Sequence, residues 1–169
     1  RRAALTRLKS TLHVVFPEFE SVFTQLHKRT ALAVLAAYPG PDVLLAAPKR
    51  KVLALLKKES RGHHGEARYE ALVAAARATL ALPGAQGSLK DEVPLLVELI
   101  ETYERQIASL EAGMARVLET APEAAALLSI PGVAPVSAAV FLGSIGDPQA
   151  YESSRQILKI AGLSLVERS

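Results

Sequence analysis

Between Leu128 and Ala139 the chain reads Leu-Ser-Ile-Pro-Gly-Val-Ala-Pro-Val-Ser-Ala-Ala, an order that suits the binding of an anion by backbone. Pro131 and Gly132 mark a tight turn between two short helices. The first turn of a helix holds N–H groups without partners and a partial positive charge, so a phosphate settles there. Gly132 permits the sharp turn, and the small Ser137, Ala138 and Ala139 permit close helix packing. The residues offered for contact are Pro131, Gly132, Val133, Ala134 and Ser137. The same residues would equally serve a turn that only reverses the chain.

A second candidate is electrostatic. Lys49, Arg50, Lys51, Lys57, Lys58 and Arg61 crowd one predicted helix and its end against Glu59 alone. Such a run is either a solvated face or a phosphate-contacting patch. Arg155 and Lys159 stand four apart on the last predicted helix, hence on one side of it, and offer phosphate contacts or an exposed basic edge. No metal site is expected, because His63 and His64 are adjacent in a Gly-flanked loop, point different ways, and have no Cys or Asp to complete a ligand set with His13 and His27. The lack of Cys also removes disulfides and thiol nucleophiles and fits a reducing cytoplasm.

The elements that must position these groups are helical. Half of the 169 residues are hydrophobic but only 5% aromatic, with Ala and Leu dominant, so an all-α fold is expected. Helical spacing runs from Arg1 to Tyr38 with a break at Phe16-Pro17, and the faces after it are Phe19, Val22, Phe23 and Leu26, then Ala31 to Tyr38. Pro39-Gly40-Pro41 stops the helix, and a short element covers Asp42 to Ala47. The basic helix follows Pro48, Arg61 to Gly65 is a loop, and the next helix runs Glu66 to Leu82, closed by Pro83-Gly84. From Leu89 to Val117 apolar residues recur in alternating steps of four and three. Val93, Ile100, Ile107 and Met114 take one core position, and Leu96, Tyr103, Leu110 and Val117 the other. This seam suits either a coiled coil with a second copy or a hairpin with another helix of the same chain.

A boundary is expected near residue 120. Residues 1–120 form a helical linker region with a coiled-coil helix at about 89–118, and 121–169 carry the hairpin. Short helices are predicted over Glu123–Leu128, Val136–Leu142 and Ser154–Ala161. A net charge of +3 with pI near 9.3 fits an anionic partner. Ala124 to Gly146 lacks any charge, but Pro131, Gly132, Pro135, Gly143 and Gly146 interrupt it, so no membrane span is expected. The sequence opens on Arg1 and shows no charged-then-apolar leader, so a segment from inside a longer protein is expected.

Residues 128–139 resemble the helix-hairpin-helix motif, with Ala134 where that motif usually has its second glycine. In order and spacing, Ile130-Pro131-Gly132-Val133, Ala138-Ala139, Ile145-Gly146-Asp147, Tyr151, Arg155-Gln156 and Ala161-Gly162-Leu163, with Glu167 and Ser169 beyond, resemble the C-terminal domain of the insertion-sequence-110 family of transposases. The resemblance implies a parent protein with an N-terminal RuvC-like nuclease domain carrying four acidic metal ligands, and a serine nucleophile in the C-terminal domain. It further implies DNA strand exchange guided by a structured RNA, assembly into dimers or tetramers, and a bacterial, nucleoid-associated location. A divalent metal such as magnesium is implied for the parent enzyme and no cofactor for this part. Ser169 aligns with the approach to the reactive serine; either it is the nucleophile or the next residue is. Other readings are a helix-hairpin-helix DNA-binding accessory module of repair or recombination, and a structural coiled-coil protein.

Overall fold

The computed structural model describes residues 1–81 and 86–160. Among the described residues are ten α-helices, one 3-10 turn and no strand, so the fold is all-α as composition predicts. The chain divides into two compact units, Arg1–Arg105 and Gln106–Ser169.

In the first unit, α1 (Arg2–Val15) sets Ala4, Leu8, Leu12 and Val15 on one buried face. It ends at Phe16, which takes φ −158° because the ring of Pro17 disfavours helical backbone before it. α2 (Phe19–Val22) is a single turn. Phe16, Phe19 and Phe23 then pack in series, with ring centroids 5.6 and 5.2 Å apart.

Here the structure corrects the sequence. The helix expected to run past Leu26 stops at Val22, and 23–28 is irregular. Phe23 leaves helical backbone at φ −122°, ψ 87°, with its ring against Phe19 and edge-on to His64 at 5.9 Å. Both Phe23 and Leu26 are buried, so the apolar pattern marks burial without marking helix.

α3 (Arg29–Ala37), α4 (Pro41–Ala46), α5 (Lys49–Glu59) and α6 (Glu66–Arg77) complete the layer; α6 packs on α2, α4 and α5, and α3 on α5. The helix stop expected at Pro39-Gly40-Pro41 holds, since α3 ends at Ala37, and Pro41 itself opens α4, whose first turn needs no N–H from it. Arg61 and Gly62 end α5 in left-handed backbone, at φ +53° and +87°, and the Gly62 N–H donates to the Lys57 carbonyl at 2.8 Å. α6 stops at Arg77, short of the expected Leu82: Glu18 Oε1 accepts the Leu80 N–H at 2.8 Å and holds the chain off the helical path. Leu82 and the Pro83-Gly84 stop lie outside the described residues.

α7 (Gln86–Thr120) runs 35 residues with Pro94 inside it, about 52 Å at the usual rise. Without an N–H, Pro94 leaves one helical hydrogen bond unmade. The seam on this helix has two fates. Val93, Leu96 and Ile100 are buried in one core with Leu8 and Leu12 of α1, so this half packs within its own chain. Further on, Tyr103, Leu110 and Val117 are 37%, 63% and 67% exposed.

The second unit has a small core. Leu118, Ala124 and Ala138 are buried, with Leu127, Val133 and Leu142 packed against them. These join the end of α7 to α8 (Ala124–Leu128) and α9 (Pro135–Ile145); a 3-10 turn (Pro148–Ala150) and α10 (Ser154–Ile160) follow.

Candidate nucleic-acid interface

The link between α8 and α9 is a type II turn: Pro131 and Gly132 are its central residues, Gly132 has φ +89°, and the Val133 N–H donates to the Ile130 carbonyl at 3.1 Å. A Cβ at Gly132 would meet open space, so backbone conformation alone asks for glycine here. Ala134 then takes extended backbone as the N-cap of α9, and Pro135 fills its first position. No side chain caps this end. The N–H groups of Ala134, Val136 and Ser137 have no partner among the described residues.

Pro131, Gly132, Ala134 and Ser137 are exposed, while Val133 is half-buried against the small core. The turn therefore faces outward. Its surroundings are apolar rather than basic: Ile130 is 50% and Val140 56% exposed, and residues 117–154 contain no Lys or Arg. Arg155 and Lys159 are exposed on α10 and make no ion pair among the described residues. Among the described residues no hydrogen bond joins them to the turn. Along the outer face of the same unit, α7 and α9 border an open apolar groove of about 870 Å³ lined by Leu110, Met114, Val117, Ala139, Leu142 and Gly143.

The basic helix α5 belongs to the first unit. Lys49, Arg50 and Lys51 fill its first turn, Lys57 and Lys58 its last, and all five are exposed. Cations at a helix end are favourable and at its start unfavourable. The first three therefore oppose the helix dipole, and Pro48 brings no side-chain cap to offset them. Lys49 pairs with Glu66 and lies 5.2 Å from the centre of the Tyr69 ring; Lys58 is 3.8 Å from Glu59. Among the described residues Arg50, Lys51 and Lys57 have no carboxylate partner.

Sequence reasoning noted Ile145-Gly146-Asp147 and Tyr151 as a pattern but gave them no task. Together they close α9. Gly146, at φ +69°, donates its N–H to the Leu142 carbonyl at 2.9 Å; Asp147 Oδ1 accepts the Gln149 N–H at 2.9 Å; and the Tyr151 hydroxyl donates to the Ile145 carbonyl. Asp followed by Pro was the readable signal, a side-chain cap ahead of a residue that cannot donate.

Ser169 lies outside the described residues. Among the described residues no three His, Asp or Glu side chains converge as a metal would require.

Residues 124–169 match the family model for the transposase IS116/IS110/IS902 family. Over 164 residues the chain is 27% identical to the insertion element IS110 uncharacterized 43.6 kDa protein of Streptomyces coelicolor, covering 96% of this chain and 40% of that protein. Over another 164-residue alignment it is 24% identical to the insertion element IS116 uncharacterized 44.8 kDa protein of Streptomyces clavuligerus, covering 97% of this chain and 41% of that protein. By these matches the chain is similar to the IS116/IS110/IS902 transposase family. It thus spans about two fifths of the length of these curated relatives. The stretch that matches the family model begins at α8, so it includes the Pro131-Gly132 turn and the closure of α9. No solved structure matches significantly. No helix among the described residues is long and apolar enough to cross a membrane.

Proposed function

We propose that this chain is the nucleic-acid-gripping and self-associating part of an insertion-sequence transposase, acting on DNA during strand exchange together with a structured guide RNA. One observation carries the reading: three N–H groups with no partner among the described residues, on Ala134, Val136 and Ser137, stand at the exposed start of α9 beside a turn that only glycine adopts freely. Amides so placed hold a phosphate without reading sequence. Arg155 and Lys159 add charge in the same unit, and the α5 cations Lys49, Arg50, Lys51, Lys57 and Lys58 supply a second contact region. Residues 121–169 then act as part of the C-terminal catalytic domain and residues 1–120 as its linker. Ser169, or the residue after it, is the nucleophile, and the acidic ligands for a divalent metal come from elsewhere in the parent protein. The expected setting is the bacterial nucleoid.

Self-association uses the later half of the α7 seam. Tyr103, Leu110 and Val117 recur every seven residues and are exposed, as a helix needs for a coiled-coil partner. The apolar groove beside Leu110 and Val117 extends this surface.

The test is titration of the chain with labelled duplex DNA and with structured RNA at two salt concentrations. Affinity that falls steeply with salt is the expected result; absent or salt-insensitive binding contradicts the reading.

A further inference from the structure

A second cavity, of about 320 Å³, lies in the first unit beside the irregular stretch 23–28. Ser21, Thr24, Lys28, Thr30, His64 and Arg68 line it, and no acidic residue does. Its construction explains why 23–28 leaves the helix. Phe23 turns its ring beneath the Arg68 guanidinium, whose carbon is 5.4 Å from the ring centre, and Arg68 donates one N–H to the Val22 carbonyl. Arg68 is half-buried, which fixes its plane and leaves its other donors without a carboxylate partner among the described residues. His64 is held by its own N–H, which donates to Ser60 Oγ at 2.8 Å, and by its ring edge on Phe23. Burial, then the charges of Arg68 and His63, keep the His64 ring below the usual histidine range, so near pH 7 it is neutral and offers one ring N–H. Lys28 is exposed at the rim and unpaired among the described residues. Two cations, an imidazole and three hydroxyls thus line one concave site with no anion to balance them. Elsewhere in this unit cations such as Arg7, Lys9, Arg29, Lys49 and Lys90 have carboxylate partners.

We propose that this cavity holds one phosphodiester of a bound nucleic-acid strand, with Arg68 and Lys28 contacting its charged oxygens and the hydroxyls and His64 completing the shell. The site rests on the nucleic-acid reading above but is separate from the Pro131-Gly132 turn, and it involves none of the five α5 lysines and arginines. In sequence, residues 60–63 connect the end of α5 to His64 of the cavity wall.

The experiment uses the 169-residue chain in three arms: inorganic phosphate, a DNA duplex and an RNA hairpin. Amide shifts in a ¹⁵N spectrum report phosphate, and fluorescence anisotropy across salt concentrations reports the nucleic acids. Lys28→Gln changes an exposed residue and keeps the fold; Arg68→Gln is checked by circular dichroism. The expected result is that phosphate shifts the amides of Thr24, Lys28, Thr30, His64 and Arg68 and that Lys28→Gln weakens this at least threefold. The slope of log affinity against log salt should drop by about one in Lys28→Gln and about two in the double variant. Phosphate shifts confined to other residues would overturn the proposal. So would wild-type slopes in Lys28→Gln with nucleic acid still bound, which leaves the reading of the turn intact and limits the cavity to free phosphate. Failure of the wild-type chain to bind either nucleic acid would remove both.

Discussion

Arg7 and Glu92 meet in a two-point ion pair, with Arg7 Nε 2.8 Å from one carboxylate oxygen and Nη2 3.2 Å from the other, and Thr11 donates to the same group at 3.1 Å. The pair ties α1 to the early part of α7, where Val93, Leu96 and Ile100 enter the core. It is a local lock on the half of the seam that this chain uses for itself.

That lock gives the fold a pH dependence. The hydrogen bond from Arg7, against partial burial and with help from Thr11, holds Glu92 below the usual carboxylate range, and Lys90 acts likewise on Asp42. A carboxylate with a depressed folded pKa stabilises the fold above its unfolded pKa, and the contribution is lost as pH falls through the folded value. The melting temperature should therefore hold from pH 7 to about 5 and fall below about 4. Glu92→Gln should shrink the fall in thermal circular dichroism; a fall of unchanged size would contradict this assignment.

Gly132→Ala should cost about 1–2 kcal/mol of stability in the second unit, because φ +89° strains any residue with a Cβ although space is open. Binding to duplex DNA should weaken several-fold as the turn and its amides shift. Undiminished binding by a folded variant would mean that the turn only reverses the chain.

Leu110→Glu with Val117→Glu should leave helicity unchanged, since both side chains are mostly exposed, and should abolish association in sedimentation velocity. A wild-type chain that sediments as a monomer at high concentration would refute the role given to the seam.

Phe19→Ala should cost about 3–5 kcal/mol, because its ring is fully buried between Phe16 and Phe23. Chemical unfolding should show the loss in the first unit, and a cost below about 1 kcal/mol would contradict the packing described.

Much of this was legible in the sequence, for physical reasons that differ by element. α1, α5 and α7 announce themselves because their apolar steps of three and four match the helical period and Pro or Gly marks their ends. The stretch 23–28 departs from the expected helix because Phe23 is buried by packing on Phe19 and His64, with Leu26 in the same core, which spacing along the chain does not encode. The early stop of α6 has the same origin: Glu18, far away in sequence, takes the Leu80 N–H. The Pro131-Gly132 turn was readable because turn chemistry is local. Arg68 was not, because its value as a ligand depends on Phe23 and Lys28 arriving from another element.

The crowded first turn of α5 gives the free chain a built-in instability. Lys49, Arg50 and Lys51 repel one another and the end of the helix they begin, so this helix is weakest when the solution around it is poor in ions. Added salt would screen that repulsion, so α5 should resist heat and protease better at moderate ionic strength than in dilute buffer.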